Sequence, residues 1–364
     1  MTDATVVGRR QALGLAGTAL AAGLGGCSSI LGRGGGADEK TSLKTVLNWK
    51  PNPTQAGYYV ARDRGYYDDE GLSVELVPGK GDTFAAKQVG LHNADLGLGS
   101  GAAVLESRKK DLPVRSYAAA QQRSNAALYT VAEQFGGRLE RPRDLAGKRV
   151  AVAGDSAKTK TYTEALLTRA GVRDSVDMVS VGVEQQTSNL LAGNVDVATG
   201  IFADGLGLRQ KGYDASMLLI GDYVPSVGRT IFARPDYADA HADAIGGFLR
   251  ATAKGWAWAG AHPPKAESVM IDAQPSLHAS RDMGRQKIDF SVRKLIATDA
   301  VAAHGWGWQS GQSWRAVHDA LAATDMLPSG MDVSSAWTNE LLPTDSAAVR
   351  QFSAHADAAN ASTR

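Results

Sequence analysis

The chain has 364 residues, 43% of them hydrophobic, with 39 Lys and Arg against 38 Asp and Glu. That length is enough for two packed α/β halves, and the even charge balance argues against a nucleic-acid binder. A single cysteine, Cys27, excludes an internal disulfide and a cysteine-based metal cluster.

In chain order, Arg9 and Arg10 precede a run of small residues and leucines that closes in Leu24-Gly25-Gly26-Cys27. A basic start, an apolar stretch too short and glycine-rich to span a bilayer, and small residues before the cysteine predict an export signal over 1–26 with lipidation of Cys27. The paired arginines are compatible with both the general and the twin-arginine export routes. Residues 27–42, with Gly34-Gly35-Gly36 at their centre, are expected to be a flexible tether.

Residues 45–47 form a short apolar strand in this reading and lead into Asn48-Trp49-Lys50-Pro51-Asn52-Pro53-Thr54-Gln55. The prolines stiffen a turn, Thr54 is the expected N-cap, Ala56, Tyr59 and Val60 share a helical face, and Gly65 stops the helix. Trp49 offers a flat apolar face and Asn52 offers donors and acceptors, which suits a small planar polar molecule. A Trp49 buried in a purely structural turn is the alternative that the residues leave open.

Leu72, Val74 and Leu76 alternate with polar residues as in a half-buried strand, and 82–92 has helical spacing before a strand at 94–99. The segment Asn93-Ala94-Asp95 with its following Gly99 recurs as Asn194-Val195-Asp196 with Gly200, each time after an amphipathic helix. Two similar α/β halves are the economical explanation. Strand-like segments at 125–132 and 229–233 bracket the second half and are the expected hinges. Between them lie a strand at 150–153 and helices at 158–170 and 185–192, the helices closed by Gly171 and Gly193. Past Pro235 the spacing predicts helices at 237–260, 264–272, 281–297, 311–323 and 334–342, then a fraying tail from 351 to 364. The expected fold is α/β with two lobes, each a mostly parallel sheet flanked by helices, plus extra C-terminal helices. Residues 43–124 and 229–350 make lobe 1, and 125–228 make lobe 2.

Three apparent motifs lead nowhere. Gly97-Leu98-Gly99-Ser100-Gly101-Ala102 fits a dinucleotide fingerprint, but no acidic residue closes the next strand at 114–120. What remains is a helix N-terminus and the Ser100 hydroxyl, able to hold an anion or a polar ring edge. Gly154 to Thr159 lacks the glycines of a phosphate loop, leaving Thr159 near a second helix start. Ser107-Arg108-Lys109-Lys110 has no companion motif of a serine acyl-enzyme, and the seven histidines show no metal-binding spacing. No cofactor is expected.

The stretch LNWKPNPTQAGYYVARDRGYYDDEGLSVELVPG, residues 47–79, resembles the opening of the substrate-binding proteins of the thiamine-pyrimidine and alkanesulfonate transport group, the NMT1/THI5-like family. Asp144-Leu145-Ala146-Gly147-Lys148-Arg149-Val150 resembles that family's entry into its second lobe. The run 199–212 resembles its G-x-Y-W-x-x-E-G segment, with Phe202 as the aromatic and Asp204 in place of the Glu. The resemblance implies a type II periplasmic-binding-protein-like fold and a lipid-anchored, extracytoplasmic binding protein whose partner is an ABC permease. It implies a planar solute, foremost a thiamine-precursor pyrimidine, with Trp49 stacking and Asn52 and Asp204 reading ring atoms. Gln55, Tyr58, Ser100, Gln122, Thr159 and Phe202 complete the implied site. Gln55 stands where pyrimidine binders often carry His, which leaves room for a riboflavin-type ligand or a sulfonate held by Arg123 or Arg229. A pyrimidine-synthase activity is disfavoured, since the cysteine-rich run of the yeast-type enzymes is missing. A structural or adhesive lipoprotein is the third class.

Overall fold

The computed structural model describes residues 40–153, 157–323 and 325–361. The export segment with Arg9, Arg10 and Cys27, nearly all of the tether, and Gly154 to Ser156 lie outside the described residues. The chain runs β1 (Thr41–Val46), α1 (Ala56–Asp63), β2 (Leu72–Val77), α2 (Asp82–Gly90), β3 (Leu96–Ser100), α3 (Gly101–Lys109) and β4 (Arg115–Ala119). It then crosses into β5 (Ala126–Val131), β6 (Arg149–Ala153), α4 (Ala157–Ala170), β7 (Asp177–Val181), α5 (Gln186–Leu191), β8 (Ala198–Ile201), α6 (Phe202–Gln210) and β9 (Ala215–Leu219). Strand β10 (Arg229–Ala233) returns to the first sheet, and α7 (Ala242–Ala261), α8 (Pro263–Ala273), α9 (Arg281–Phe290), α10 (Gly311–Ala322) and α11 (Phe352–Ala361) follow, with shorter helical turns between them.

The first sheet has the order β2-β1-β3-β10-β4; the second half holds β8-β5-β9 and a β6-β7 pair joined to it by a bridge between Val150 and Val197. Both are mixed rather than mostly parallel. Strand β10 runs antiparallel to β3 and β4, and β5 antiparallel to β8 and β9. The reason lies in the connections: β4 and β9 end at the face where the two halves meet, so β5 and β10, which start there after a crossing, must run the other way.

The repeated Asn-x-Asp segments do the same job in each half. The Asp95 carboxylate accepts the N–H of Lys44 at 2.8 Å and holds β3 beside β1; the Asp196 carboxylate accepts the N–H of Arg149 at 2.8 Å and holds the start of β8 beside β6. Arg149 adds a guanidinium bond to Asp196 at 2.7 Å.

Some boundaries differ from expectation. Strand β1 starts at Thr41, inside the expected tether, since Thr41 to Lys44 pair with β2 on one side only and their outward positions tolerate polar side chains. Of the helix expected at 334–342 only the turn Ser334–Ala336 forms, because Trp337 is extended and bridges to Ser116 of β4. The expected tail is helix α11 instead, and its Phe352 and Ala356 are buried in the same core as α7. The helix expected at 237–260 is interrupted at His241, where α7 is preceded by the short helix Pro235–Ala240. Beyond α9 the helix widens into a π-helical turn, Ser291–Ile296, whose Leu295 carbonyl accepts from the N–H groups of Gln122 and Arg123 and so pins the first crossing.

The main core gathers α1, α7 and the first sheet around Tyr58, Tyr67, Phe248 and Trp256. Gly57 of α1 sits directly on the Trp256 indole, with no space for a Cβ. Gly57→Ala is expected to cost about 1–3 kcal/mol through overpacking, read as a lower denaturant midpoint; an unchanged midpoint would contradict this packing. On α8, Glu267 is fully buried beneath Gly284 of α9 with no hydrogen-bond partner for either oxygen among the described residues. Burial pushes its pKa up to about 7 against the charges of Arg281, Lys287 and Arg285. The folded chain therefore keeps this proton to higher pH than the unfolded chain, and stability falls as pH rises from 4.5 through about 7. Across that window the protein should lose on the order of 3 kcal/mol relative to Glu267→Gln, and parallel pH profiles in chemical denaturation would refute the assignment.

Candidate ligand-binding site

A cavity of about 580 Å³ opens between the two halves. Its walls come from the C-terminal ends of β3, β6 and β8, the loop after β1, and the starts of β5 and β10. Strand ends at a change of sheet direction leave a crevice that no crossover covers.

The loop after β1 is braced from within. Asn52, not Thr54, is the cap: its Oδ1 accepts from the Thr54 N–H at 3.0 Å and hydroxyl at 2.6 Å, and its Nδ2 donates to the Lys50 carbonyl at 2.9 Å. Gln55 is fully buried, donating to Asn48 Oδ1 at 3.0 Å and accepting from the Asn52 N–H at 3.3 Å. The carbonyls of Trp49 and Asn48 receive the N–H groups of Gly79 and Gly81 from the loop after β2. With its backbone held on both sides, the loop presents Trp49 to the cavity at 48% exposure, so this residue is not part of the core.

Of the residues singled out from sequence, Trp49, Asn52, Ser100, Thr159, Asp204 and Arg229 line the cavity. Ser100 ends β3 and caps α3, with its hydroxyl accepting from the Ala103 N–H at 3.4 Å and its own N–H donating to Asp82 at 3.1 Å. Asp204 accepts the N–H of Ile201 at 2.8 Å. Burial raises its pKa, and the Ile201 bond and the charge of Lys287 oppose the rise only in part. Lys287 of α9 lines the same cavity, and burial lowers its pKa despite the pull of Asp204.

Five others are absent from the walls. Gln55 is consumed in bracing the loop. Tyr58 is buried beneath it, edge-on to Trp256 with ring centroids 5.9 Å apart, and burial raises its phenol pKa. Gln122 turns away from the cavity and donates to the carbonyls of Ala119 at 3.0 Å and Trp308 at 2.9 Å. Phe202 is fully buried and stacks on Phe290 at 4.3 Å, tying α6 to α9. Consecutive residues at a strand end point to opposite faces, so where Phe202 enters the core its neighbour Ile201 meets the cavity. Arg123 is engaged by Asp222 at 2.9 Å on the surface.

Several wall residues carry no sequence signal of their own. Lys287 is one charge among several on an amphipathic helix. Gln121, Ser124 and Asn125 flank the expected Gln122 in the crossing between β4 and β5, where no strand alternation tells which of them turns inward. Tyr129 bonds Thr187 at 2.8 Å across the second wall. Val183 and Ile201 are exposed by 51% and 36% on that wall.

Two mixed sheets with a polar cavity between them, reached by two crossings of the chain, define the periplasmic-binding-protein class. The aliphatic sulphonate binding protein SsuA of Escherichia coli shares this fold, with a TM-score of 0.65 at 13% identity over 81% of this chain and 91% of that one. The chain belongs to the NMT1/THI5-like family, whose model matches residues 52–266. Its relatives include the formylaminopyrimidine-binding protein of Halalkalibacterium halodurans, 27% identical over 80% of this chain and 88% of that protein. The riboflavin-binding protein RibY of Chloroflexus aurantiacus is 25% identical over 82% and 85%. A 4-amino-5-hydroxymethyl-2-methylpyrimidine phosphate synthase of Legionella pneumophila is 22% identical over 84% and 93%.

The buried Asp204 gives a test of the site's electrostatics. Since its folded pKa lies above the ordinary 3.8, the carboxylate weakens the fold as pH rises past that value. Asp204→Asn, which can still accept from Ile201, should gain stability over the native chain at neutral pH and lose that gain in acid. Identical melting curves at both pH values would remove the assignment.

Proposed function

We propose that this protein is the substrate-binding component of an ABC importer, exported and held at the extracytoplasmic face of the membrane through lipidated Cys27. In this reading it captures a small planar heterocycle, foremost a thiamine-precursor pyrimidine, and delivers it to a permease without chemical change. The observation that carries the reading is the placement of exposed apolar surface. Among the described residues six large hydrophobic side chains are exposed, and three of them, Trp49, Val183 and Ile201, line this one cavity. Trp49 comes from the first half, Val183 and Ile201 from the second, which suits a flat ring sandwiched when the halves close. Asp204 beside Ile201 accepts from ring amino groups, and Ser100, Thr159 and Asn125 supply neutral partners.

The wall charges favour this ligand over a small sulfonate. Among the described wall residues, Asp82, Glu184 and Asp204 stand against Arg229 and Lys287, so a small sulfonate that lacks a ring to stack and an amino edge for Asp204 is the weaker fit. The two lobes are taken as 43–124 with 229–350, and 125–228, and closure turns on the crossings at 120–125 and 220–228. There Ser124 N–H donates to Ser226 Oγ at 2.9 Å, and Gly228 packs on the Gln121 and Arg123 carbonyls.

Titration calorimetry with hydroxymethylpyrimidine, formylaminopyrimidine, riboflavin and taurine tests the proposal. A pyrimidine should bind, and Trp49→Ala should weaken it by about tenfold or more without lowering the melting temperature. Silence from both pyrimidines and from their anionic derivatives would refute the ligand, and binding of taurine alone would replace it with a sulfonate.

A further inference from the structure

We infer that the ligand bears an anionic substituent, and that Arg229 together with the side-chain amide of Gln121 receives it. This rests on the planar-ring reading above and adds a second recognition point to it.

Arg229 opens β10, lines the cavity and is only 7% exposed. A guanidinium has five N–H donors, yet the one hydrogen bond of this side chain runs from Nη1 to the Thr54 carbonyl at 2.9 Å. No carboxylate lies within ion-pairing distance of it among the described residues. Asp82, on the same wall, raises its proton affinity from further away and turns one oxygen to the Ser100 N–H. Arg234, at the other end of the same strand and equally buried, is the internal contrast. Its Nη1 donates to the carbonyls of Val89 at 2.9 Å and Ala94 at 3.3 Å, and its Nε, though it makes no hydrogen bond, lies 3.4 Å from the Asp236 carboxylate, so this cation has the counter-charge that Arg229 lacks. A buried cation without a counter-charge is costly, so the one that faces a cavity is poised for a charge arriving from outside.

Gln121 is the independent second observation. Its backbone N–H donates to the Arg229 carbonyl at 3.0 Å, which places the two residues side by side. Gln121 lines the cavity, is 2% exposed, and its Nε2 has no hydrogen-bond partner among the described residues. One positive fork and one neutral amide, both buried and both short of acceptors, match a carboxylate or a phosphate monoester. Asp204 would bind the amino edge of the ring and Arg229 the anionic arm, so the ligand carries both polarities.

Calorimetry on the lipid-free exported chain with hydroxymethylpyrimidine, its phosphate monoester, the corresponding carboxylic acid and inorganic phosphate tests this. At least one anionic ring should bind tenfold or more tightly than the neutral alcohol, and inorganic phosphate should not compete at equal concentration. Arg229→Gln should abolish the ratio between anionic and neutral rings, and Gln121→Ala, which leaves the Thr54 brace intact, should reduce it several-fold. If the alcohol binds as tightly as both anionic rings, the anion site is refuted while the pyrimidine reading stands. If no ring binds, the reading falls and this inference with it.

Discussion

In each half of the molecule one carboxylate closes a backbone hydrogen bond that no strand pairing would close. Asp95 takes the Lys44 N–H and Asp196 takes the Arg149 N–H, both at 2.8 Å. The bond joins the turn after a helix to the neighbouring strand, within β1 at Lys44 and at the start of β6 at Arg149, so it sets how far the next strand is advanced along the sheet. Everything at the far ends follows. The loop after β1 and the end of β3 reach the same rim of the first sheet, and Ala153 and Ile201 reach the facing rim of the second. At Asp196 burial works against the ionised form, and the bonds from Arg149 outweigh it and hold the pKa low.

The cavity is built by spending polar groups where position matters and withholding them where a solute must bind. Asn52, Gln55, Gly79 and Gly81 use their hydrogen bonds on one another and on the loop backbone. Their yield is a tryptophan held half out of the protein, a geometry that costs apolar exposure and is stable only because the loop beneath cannot relax around it. On the same wall Arg229 and Gln121 carry donors that the fold leaves over. Behind the opposite wall the Phe202–Phe290 stack and the Leu295 carbonyl connect the C-terminal helices to the second half and to the first crossing. The C-terminal helices are therefore part of the binding architecture, and Lys287 brings one of them into the cavity wall.

Most elements were legible from residue order, and about half of the residues proposed for the candidate site do line the cavity. Alternation in 72–76, helix-stopping glycines at 65, 171 and 193, and the repeated Asn-x-Asp segment correspond to observed strands, to left-handed helix ends and to the two clasps. Trp49 and Asp204 were legible through chemistry and family pattern. Phe202 and Gln122 show where such reasoning stops, since an aromatic or an amide at a strand end has two faces to choose from. Packing made the choice: a partner ring at 4.3 Å drew Phe202 inward, and carbonyls at 2.9 and 3.0 Å drew Gln122 aside.

Local sequence by itself determined the α/β alternation, the two related halves and the Trp49 loop, because caps, periodicity and proline stiffness act over a few residues. Tertiary structure alone decided the mixed strand directions, the burial of Gln55 and Tyr58, and the meeting of Arg229, Gln121, Asp204 and Lys287 around one cavity. These residues lie on separate elements, and their charges and unspent donors acquire meaning only from neighbours that the chain brings back from far along its length.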